Sequence, residues 1–376
     1  MNIQTVTKQA YNVIVAGGGI AGVSAAVSAA RNGASVLLLE KGVNLGGLAT
    51  AGLISWYEPL CNGEGKQLIY GIAEELIRLA TRCGMENLPV RWGGSGENKP
   101  KNERFSSFYS PTFFSLTLDA FVQKSGASIL FDTLATYPVM EQGHCTGVLV
   151  ENANGREFYP ADAIVDATGD ASIMYRAGVP CVTGENFLTY IVHDMDKSSA
   201  ERYCSDGDLT RFRRWVNCGS DYAGNGHPAG MKTFHGDSAE EITEYLLAGK
   251  QRMLQKYEGT DARDREILTI PSMPQFRTIR HIVGKAPFQG KQKPNGIPDS
   301  IGTVGDFRQA GPEYEVPFSC LYHPDFDNLL AAGRIVDVSD ADAWEIARVI
   351  PVCALTGEAA GKAAAELALK KIALNR

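Results

Sequence analysis

The sequence predicts an α/β protein in which a parallel sheet of strand–helix–strand units and an antiparallel three-stranded meander carries an inserted α+β domain. Three observations predict this fold class. Residues 11–40 have the pattern of strand, helix and strand; residues 136–165 have that of three strands joined by short turns; and the chain ends with an apolar run followed by a helical stretch rich in small residues. At ~150 residues per domain, 376 residues allow two domains.

The first strand–helix–strand unit occupies residues 11–40. Residues 11–16 (YNVIVA) form a short apolar run that ends at glycines, which is typical of a buried strand. Residues 20–32 are small and rich in alanine, and Gly33 provides a C-terminal stop, so a helix is predicted. Residues 35–40 (SVLLLE) predict a second buried strand. A unit of this kind forms a parallel crossover.

The remaining elements follow from the same patterns. Apolar residues at helical spacing predict helices, and alternating or β-branched runs bounded by turn residues predict strands. Ser238 and Glu241 match a capping box at the start of one helix. The predicted helices are 71–83, 111–124, 238–257 and 352–371; the predicted strands are 128–133, three antiparallel strands within 136–165, 276–283 and 328–332; and 285–315 is predicted to be a Pro/Gly-rich loop.

Composition and charge exclude several classes of protein. The chain has 44% hydrophobic and 21% charged residues, which is typical of a globular protein and not of a disordered chain or a coiled coil. Its net charge of −7 gives no support to nucleic acid or an anionic membrane as partner. The eight cysteines form no CxxC pair and no metal-ligand spacing, which favours reduced thiols, no metal and a cytoplasmic location. Glycines 17–19 interrupt the apolar run 13–30, so neither a signal peptide nor a membrane span is expected.

Gly17, Gly19 and Gly22 form a GxGxxG motif between the first strand and its helix. In this motif the first glycine permits a tight turn, the second lets the backbone approach a pyrophosphate, and the third lets helix and strand pack closely. The helix N-terminus then offers free N–H groups to the phosphates. Glu40 ends the next strand, 18 positions after Gly22, where an acidic side chain accepts hydrogen bonds from ribose hydroxyls. The motif predicts dinucleotide binding; the alternative is a close-packed glycine turn without a ligand.

Further segments indicate which dinucleotide is bound. Their order resembles that of FAD-dependent oxidoreductases with a glutathione-reductase-type, Rossmann-like nucleotide fold, in the branch related to fumarate reductase flavoproteins. The resemblance spans nearly the whole chain, although residues 181–260 match poorly and the family's D-x-H is Asp306-Phe307-Arg308 here. The segments are 45–55 (LGGLATAGLIS), 71–76 (GIAEEL), 111–133, 163–170 (AIVDATGD), 276–284 (FRTIRHIVG), 328–334 (NLLAAGR) and 347–361 (ARVIPVCALTGEAAG).

The resemblance implies a set of FAD contacts and a discontinuous FAD-binding domain. That domain is expected to comprise 1–55, 112–180 and 325–376, with 56–111 and 181–324 as the inserted substrate or cap domain. Its C-terminal helix is expected to direct its N-terminus at the flavin ring, and the alternative is a helix that is merely tightly packed. The residues expected to contact FAD are Gly17, Gly19, Ile20, Ala21, Gly22, Glu40, Lys41, Gly46, Gly47, Leu48, Ala49, Thr50, Leu134, Ala135, Ala167, Thr168, Gly169, Gly333, Arg334, Arg348 and Pro351.

Cationic residues on the predicted strand 276–283 are the candidate catalytic residues. Strand alternation places Arg277 and His281 on one face, ~13 Å apart, and Arg280 on the other. One hypothesis is that an arginine receives an anionic or strongly polar substrate while His281 carries a proton, since its reference pKa is near neutral. The alternative is that the arginines form structural ion pairs with carboxylates such as Asp299 or Asp306.

These features predict an enzyme that transfers a hydride between a small polar or anionic substrate and N5 of FAD. No second strand–GxGxxG–helix unit occurs, because the glycines at 93–96 follow no strand, so electrons are expected from the substrate or from an external donor or acceptor. No GxSxG motif supports hydrolysis. Two alternatives remain open: a fumarate-reductase-like enzyme that reduces an activated alkene, and a binding factor in which FAD is structural. The sequence indicates no oligomeric state.

Overall fold

The computed structural model describes residues 4–82, 107–207, 212–291, 296–370 and 374, so the glycines at 93–96 lie outside the described residues. The strands are β1 (Val6–Thr7), β2 (Tyr11–Ala16), β3 (Val36–Leu39), β4 (Trp56–Tyr57), β5 (Ser107–Phe108), β6 (Ser128–Leu130), β7 (Leu134–Glu141), β8 (His144–Asn152), β9 (Gly155–Asp166), β10 (Cys181–Thr183), β11 (Ile191–Asp196), β12 (Arg214–Asn217), β13 (Arg265–Thr269), β14 (Arg280–Ile282), β15 (Ser300–Gly305), β16 (Glu313–Pro317) and β17 (Leu329–Ala331). The helices are α1 (Ile20–Arg31), α2 (Ile72–Ala80), α3 (Pro111–Ser125), α4 (Ser172–Ala177), α5 (Lys197–Asp206), α6 (Ala239–Tyr257), α7 (Ala341–Ala347) and α8 (Ile350–Lys370).

The largest sheet combines a parallel part with an antiparallel meander. The strands β6, β3, β2, β9 and β17 pair in that order, and every pair is parallel. The long strand β9 belongs to both parts, because its C-terminal half pairs with β2 and β17 while its N-terminal half continues the antiparallel series β7–β8–β9. The predicted parallel sheet with strand–helix–strand units and a three-stranded meander is therefore confirmed.

The parallel strands are buried on both faces, which explains their unbroken apolar runs. Alternate residues of β2 enter two different clusters: Val13 and Val15 pack on the side of α1 and α8, and Ile14 and Ala16 pack on the side of α4. All four side chains have no exposed surface. This alternation follows from the two-residue period of a strand.

The rest of the chain forms smaller sheets beside α6. β11 lies between β12 and β13 in an antiparallel sheet, and β10 pairs with β14, β15 with β16, and β4 with β5. Tyr245 and Met253 of α6 are buried in the apolar clusters of this part. The mixed α/β class is confirmed, whereas the boundaries at 55, 112, 180 and 325 stay a prediction.

The predicted strand 276–283 is wrong over its first half. Only Arg280–Ile282 are in a strand, because the Asn186 side chain replaces a neighbouring strand for the residues before it. The Asn186 carboxamide oxygen accepts from the backbone N–H groups of Arg277 (2.8 Å) and Thr278 (3.0 Å), and its Nδ2 donates to the Thr278 carbonyl. The face alternation expected for Arg277 and His281 therefore does not hold.

Two other predictions need correction at the level of elements. The loop predicted at 285–315 contains β15 and the start of β16, where alternating half-buried residues form a hairpin. The predicted capping box is half right. The Ser238 hydroxyl accepts from the Glu241 N–H, but the Glu241 carboxylate accepts from the N–H groups of His235 and Gly236 instead of returning to Ser238.

The described helices include none that is both long and apolar enough to cross a membrane.

Candidate functional site

The three motif glycines lie in different surroundings at the turn between β2 and α1. Gly17 has φ +98°, and a Cβ there would lie 2.6 Å from the Ala167 carbonyl oxygen. A Cβ on Gly22 would lie 1.8 Å from the Gly17 oxygen, so this position needs glycine for close packing. A Cβ on Gly19 would meet no protein atom within 4 Å. The turn and the packing account for Gly17 and Gly22, whereas the space beside Gly19 is open.

The open space at Gly19 lies at the N-terminus of α1. Gly19 is the N-cap residue, no side chain caps the helix, and its first turn contains no acidic residue. The first N–H groups of a helix need acceptors, and phosphate oxygens are suitable ones. Ile20 and Ala21, which form the first turn with Gly22, are buried. The residues present therefore fit a pyrophosphate group at this N-terminus.

Glu40 lies beside this turn, at the end of β3. Its two carboxylate oxygens accept from the backbone N–H groups of Gly18 (2.7 Å) and Gly42 (2.6 Å). The side chain is only partly buried, and each oxygen retains a further lone pair for a ribose hydroxyl. The Glu40 carbonyl also accepts from the Thr133 N–H, which brings the start of β7, with Leu134 exposed and Ala135 buried, next to this residue.

The segment that begins at Gly46 lies along the same turn. The Gly46 N–H donates to the Gly18 carbonyl (2.8 Å), and a Cβ on Gly47 would lie 3.2 Å from the Gly19 Cα. A 3-10 helix, Gly47–Ala49, continues from there, with Leu48 half-buried and Ala49 and Thr50 buried. Lys41 is exposed. The two glycines therefore bring this backbone against the N-terminus of α1.

The turn after β9 is held by a buried carboxylate, Asp166. Its Oδ1 accepts from the N–H (3.0 Å) and hydroxyl (2.6 Å) of Thr168, and its Oδ2 accepts from the N–H groups of Ile173 and Met174. Burial raises the pKa of Asp166 to about 6. This carboxylate thus fixes Ala167, Thr168 and Gly169 beside the glycine turn, and its own contacts leave it unavailable to a ligand.

Gly333 and Arg334 connect this turn to the C-terminal helix. Gly333 has φ +82°, and a Cβ there would lie 2.8 Å from the Ala21 Cβ and 3.7 Å from the Cys353 Sγ. Arg334 donates from Nε to the Gly169 carbonyl (2.8 Å), and burial lowers its pKa. Residues from both ends of the chain that were expected to contact FAD therefore lie around the N-terminus of α1.

Helix α8 runs parallel to α1 and extends beyond it. A Cβ on Gly357 would lie 2.2 Å from the Ala21 carbonyl oxygen, and one on Gly361 would lie 2.1 Å from that of Ala25. The small residues of α8 thus serve helix packing. Since α8 begins at Ile350, seven residues before Gly357, its N-terminus projects ~9 Å past the start of α1 at 1.5 Å per residue. Pro351 is buried in its first turn.

Arg277 is a half-buried guanidinium without a carboxylate partner in the described residues. It donates to the Thr189 hydroxyl (2.9 Å) and to the Ser220 carbonyl (3.2 Å). Burial lowers its pKa and the nearby positive charge of Arg348 lowers it further, although the more distant carboxylates of Glu345 and Asp221 oppose the shift. The ion pairs considered from the sequence involve other groups: Asp306 pairs with Arg308, and Asp299 accepts from the Ser319 N–H.

Arg348 is paired within its own helical turn and lies against aromatic rings. It forms an ion pair with Glu345, and its guanidinium lies 5.2 Å from the ring centre of Trp344 and 5.8 Å from that of Phe307. Two buried donors near these arginines lack hydrogen-bond partners in the described part of the chain, namely the Ser220 hydroxyl and the Trp344 indole N–H.

Arg280 and His281 have partners of their own. Arg280 pairs with Asp237 (3.4 Å) and lies 4.4 Å from the ring centre of Tyr175. His281 lies opposite Val182 in the β10–β14 pair, close to Asp337, whose pKa is raised by burial. The structure therefore brings Arg277 next to Arg348 and gives Arg280 the structural ion pair that the sequence left open. Their catalytic roles stay predictions.

The sequence analysis missed Glu58, a buried residue that is 8% exposed. Its Oε2 accepts from the N–H of Ile350, the first residue of α8 (3.2 Å). Burial raises its pKa to about 7, although the charge of Arg348 opposes the shift. A signal was present in the sequence, because Glu58 is the one charged residue in the apolar run 53–60 and a buried charge needs a partner or a proton.

Comparison with known families gives one match that spans most of the chain. The family model described as "FAD dependent oxidoreductase" matches residues 12–195 and 235–375. No curated protein matches the chain.

Comparison with solved structures shows the same fold. The p-nitrophenol 4-monooxygenase PnpA from Pseudomonas putida DLL-E4 is 11% identical, and the match covers 97% of this chain and 81% of that one with a TM-score of 0.51. A geranylgeranyl bacteriochlorophyll reductase-like protein from Thermoplasma acidophilum is 15% identical, with 97% and 80% covered and a TM-score of 0.48. At 11% identity, the similarity to PnpA bears on the fold alone.

Proposed function

We propose, from the premise that this chain belongs to the family of FAD-dependent oxidoreductases, that it transfers a hydride between a small anionic substrate and bound FAD. The chain is an FAD-dependent enzyme; the proposal concerns its substrate. The observation that carries it is Arg277, a half-buried guanidinium that forms no ion pair with a carboxylate in the described residues and that lies near a second guanidinium, Arg348. The alternative of a binding factor with structural FAD has no support from a family of oxidoreductases.

The residues around α1 fit the cofactor that the family binds. The open space at Gly19 and the uncapped helix N-terminus would receive the pyrophosphate, and Glu40 would accept from the ribose. The backbone at Gly46, Gly47 and Gly333 would lie along the cofactor beyond the phosphates. FAD supplies the hydride-transferring ring when it is bound, and the chain supplies its orientation and electrostatic surroundings.

A largely desolvated cation without an ion-pair partner is costly, so an anion is the expected partner of Arg277. A substrate carboxylate would accept two parallel hydrogen bonds from one guanidinium. Arg348, although paired with Glu345, would lie close to the same anion, and the unpartnered Ser220 hydroxyl and Trp344 N–H would offer further donors. These groups would fix the substrate's orientation, and such positioning brings a reacting carbon within about 3–3.5 Å of its acceptor. His281 stays the predicted proton carrier.

An anaerobic screen of flavin absorbance tests the proposal. Amino acids, hydroxy acids and unsaturated acids are compared with the corresponding amines, alcohols and amides, which lack the carboxylate. We expect bleaching by one of the carboxylates and none by its neutral analogue. Bleaching by neutral compounds alone would contradict the anionic substrate. If only an artificial donor reduces the flavin and an unsaturated acid reoxidises it, the reaction is the fumarate-reductase-like one.

Variants then connect the substrate to the arginine. Arg277→Lys keeps the charge but loses the fork of donors, so we expect FAD to remain bound while turnover falls by at least tenfold. Arg280→Lys and His281→Gln are tested beside it. Arg252→Lys is the matched control, because Arg252 also donates to a carbonyl of the same loop, that of Cys218. Wild-type turnover in all three site variants would assign these residues a structural role.

A further inference from the structure

The N-terminus of α8 carries an acidic group that the proposed function does not use. The Glu58 carboxyl accepts from the Ile350 N–H at 3.2 Å, and this is its one hydrogen bond from another residue in the described part of the chain. Glu58 is 8% exposed, and no lysine or arginine lies within ion-pair distance of it in that part. The nearby charge of Arg348 and the positive end of the helix dipole therefore stabilise its charged form.

The titratable groups that face Glu58 come from separate parts of the chain. Arg348, just before α8, favours the charged carboxylate, and the thiol of Cys353 in α8 lies close enough for the two groups to affect each other. Tyr57 of β4 and Tyr109, just before α3, are buried beside it, and the Glu58 charge helps to raise the pKa of both hydroxyls. The effect of burial on the pKa of Glu58 is larger than that of the single cation, so this pKa is raised to about 7.

The resemblance to the family implies that the flavin ring would lie at this same helix N-terminus, beyond the pyrophosphate. Gly333 brings Ala21 of α1 and Cys353 of α8 together, and α8 projects ~9 Å past the start of α1 at 1.5 Å per residue. The part of FAD beyond its phosphates is the ribityl chain and the ring. A ring that gains electrons would therefore share one helix N-terminus with the Glu58 carboxylate.

We propose that Glu58 is the proton-holding residue of this enzyme: it binds one proton from solvent when FAD is reduced and releases it when FAD is reoxidised. A bound flavin would receive two electrons and a proton as a hydride and would then carry one added negative charge. A second negative charge at the same N-terminus raises the proton affinity of the carboxylate, which becomes a carboxylic acid. The proton on Glu58 balances the added charge, and no further oxidant or reductant is involved.

This inference rests on the FAD of the family and not on the anionic substrate, so dithionite can serve as the reductant. The first measurement is difference infrared spectroscopy of FAD-loaded wild-type protein, with and without ¹³C in the glutamate carboxyl groups. We expect a protonated carboxylic acid band to appear on reduction and to shift with the label. No labelled band on reduction would overturn the proposal, whatever the substrate is.

The second measurement counts the protons taken up on reduction and tests whether Glu58 is the residue that binds the additional one. At pH 7.5, wild-type protein is expected to take up roughly half a proton or more beyond the uptake of Glu58→Gln on two-electron reduction. The matched control is Glu358→Gln. Glu358 is also a partly buried carboxylate on α8 with a raised pKa, and it accepts from the N–H of Ile72 at the start of α2, but it lies two turns farther along. Equal uptake by wild type and Glu58→Gln, or a loss in Glu358→Gln as large as that in Glu58→Gln, would overturn the assignment.

Discussion

Gly19 and Gly22 are three residues apart in one turn, yet a side chain would have opposite consequences at the two positions. Gly19 has φ −65° and ψ 179°, which any residue adopts, and a Cβ there meets no protein atom within 4 Å. We therefore expect Gly19→Val to fold but to lose FAD, because the valine would occupy the space of the pyrophosphate. Absorbance at the flavin bands and circular dichroism report the two properties separately.

Gly22→Val is the contrasting variant. A Cβ at Gly22 would lie 1.8 Å from the Gly17 carbonyl oxygen, so helix and strand must separate, and we expect little folded protein. If Gly19→Val retains stoichiometric FAD after gel filtration, the pyrophosphate does not lie beside this residue.

Glu58 makes the stability of the protein depend on pH in a defined direction. Its folded-state pKa of about 7 lies above the unfolded value of 4.5, so its stabilising contribution is complete below pH 4.5 and is lost as pH rises through 7. Glu58→Gln has no carboxyl at this position, so its free energy of unfolding does not fall for this reason as pH rises. Relative to wild type, the variant should gain up to about 3 kcal/mol in free energy of unfolding between pH 5 and pH 8.

Urea unfolding of wild type and Glu58→Gln at equal FAD concentration measures the difference. Glu258→Gln, which removes an exposed carboxylate, controls for the change in net charge. A difference between Glu58→Gln and wild type that is the same at pH 5 and pH 8 would mean that Glu58 titrates as it does in the unfolded chain.

At the scale of elements, the interface of α1 and α8 explains why the C-terminal helix is rich in small residues. Helix propensity alone would make Gly357→Ala stabilising by about 1 kcal/mol. The structure predicts that the substitution is destabilising instead, because the new Cβ would lie 2.2 Å from the Ala21 carbonyl oxygen. We expect Gly357→Ala to lower the free energy of unfolding by about 2 kcal/mol and to weaken FAD binding, since the two helix N-termini would move apart.

Thermal unfolding and FAD titration test this expectation. Lys362→Ala, at an exposed position of the same helix, should change the free energy of unfolding by less than about 0.5 kcal/mol. A stabilised Gly357→Ala variant would show that the two helices can separate without cost.

At the scale of the whole molecule, the sequence contains one strand–GxGxxG–helix unit, the one that begins α1, and FAD is the ligand of the family. NADH and NADPH are therefore expected to reduce the flavin poorly, as the absence of a second GxGxxG unit predicts. Stopped-flow mixing of the FAD-loaded enzyme with either nucleotide measures the rate. Fast, saturable reduction at micromolar nucleotide would require a second nucleotide site.

Local patterns in the sequence determined the nucleotide-binding half of the molecule. The apolar run of β2, the glycines at 17–22 and the acid at Glu40 lie within one strand–helix–strand unit, so their spacing alone predicts how they meet. The meander and the capping serine Ser238 could also be predicted from the sequence, because turns and caps depend on neighbouring residues.

Only the tertiary structure decided the features that depend on residues far apart in the chain. The Asn186 side chain takes the place of a neighbouring strand beside Arg277 and Thr278. These two residues are therefore not in a strand, although the local composition favoured one. Arg277 lies near Arg348, and Glu58 meets Ile350, across separations that no local pattern records. Burial and charge at a site are set by whatever packs against it, so the sequence predicted which cofactor binds, whereas the partners of the reactive side chains required the fold.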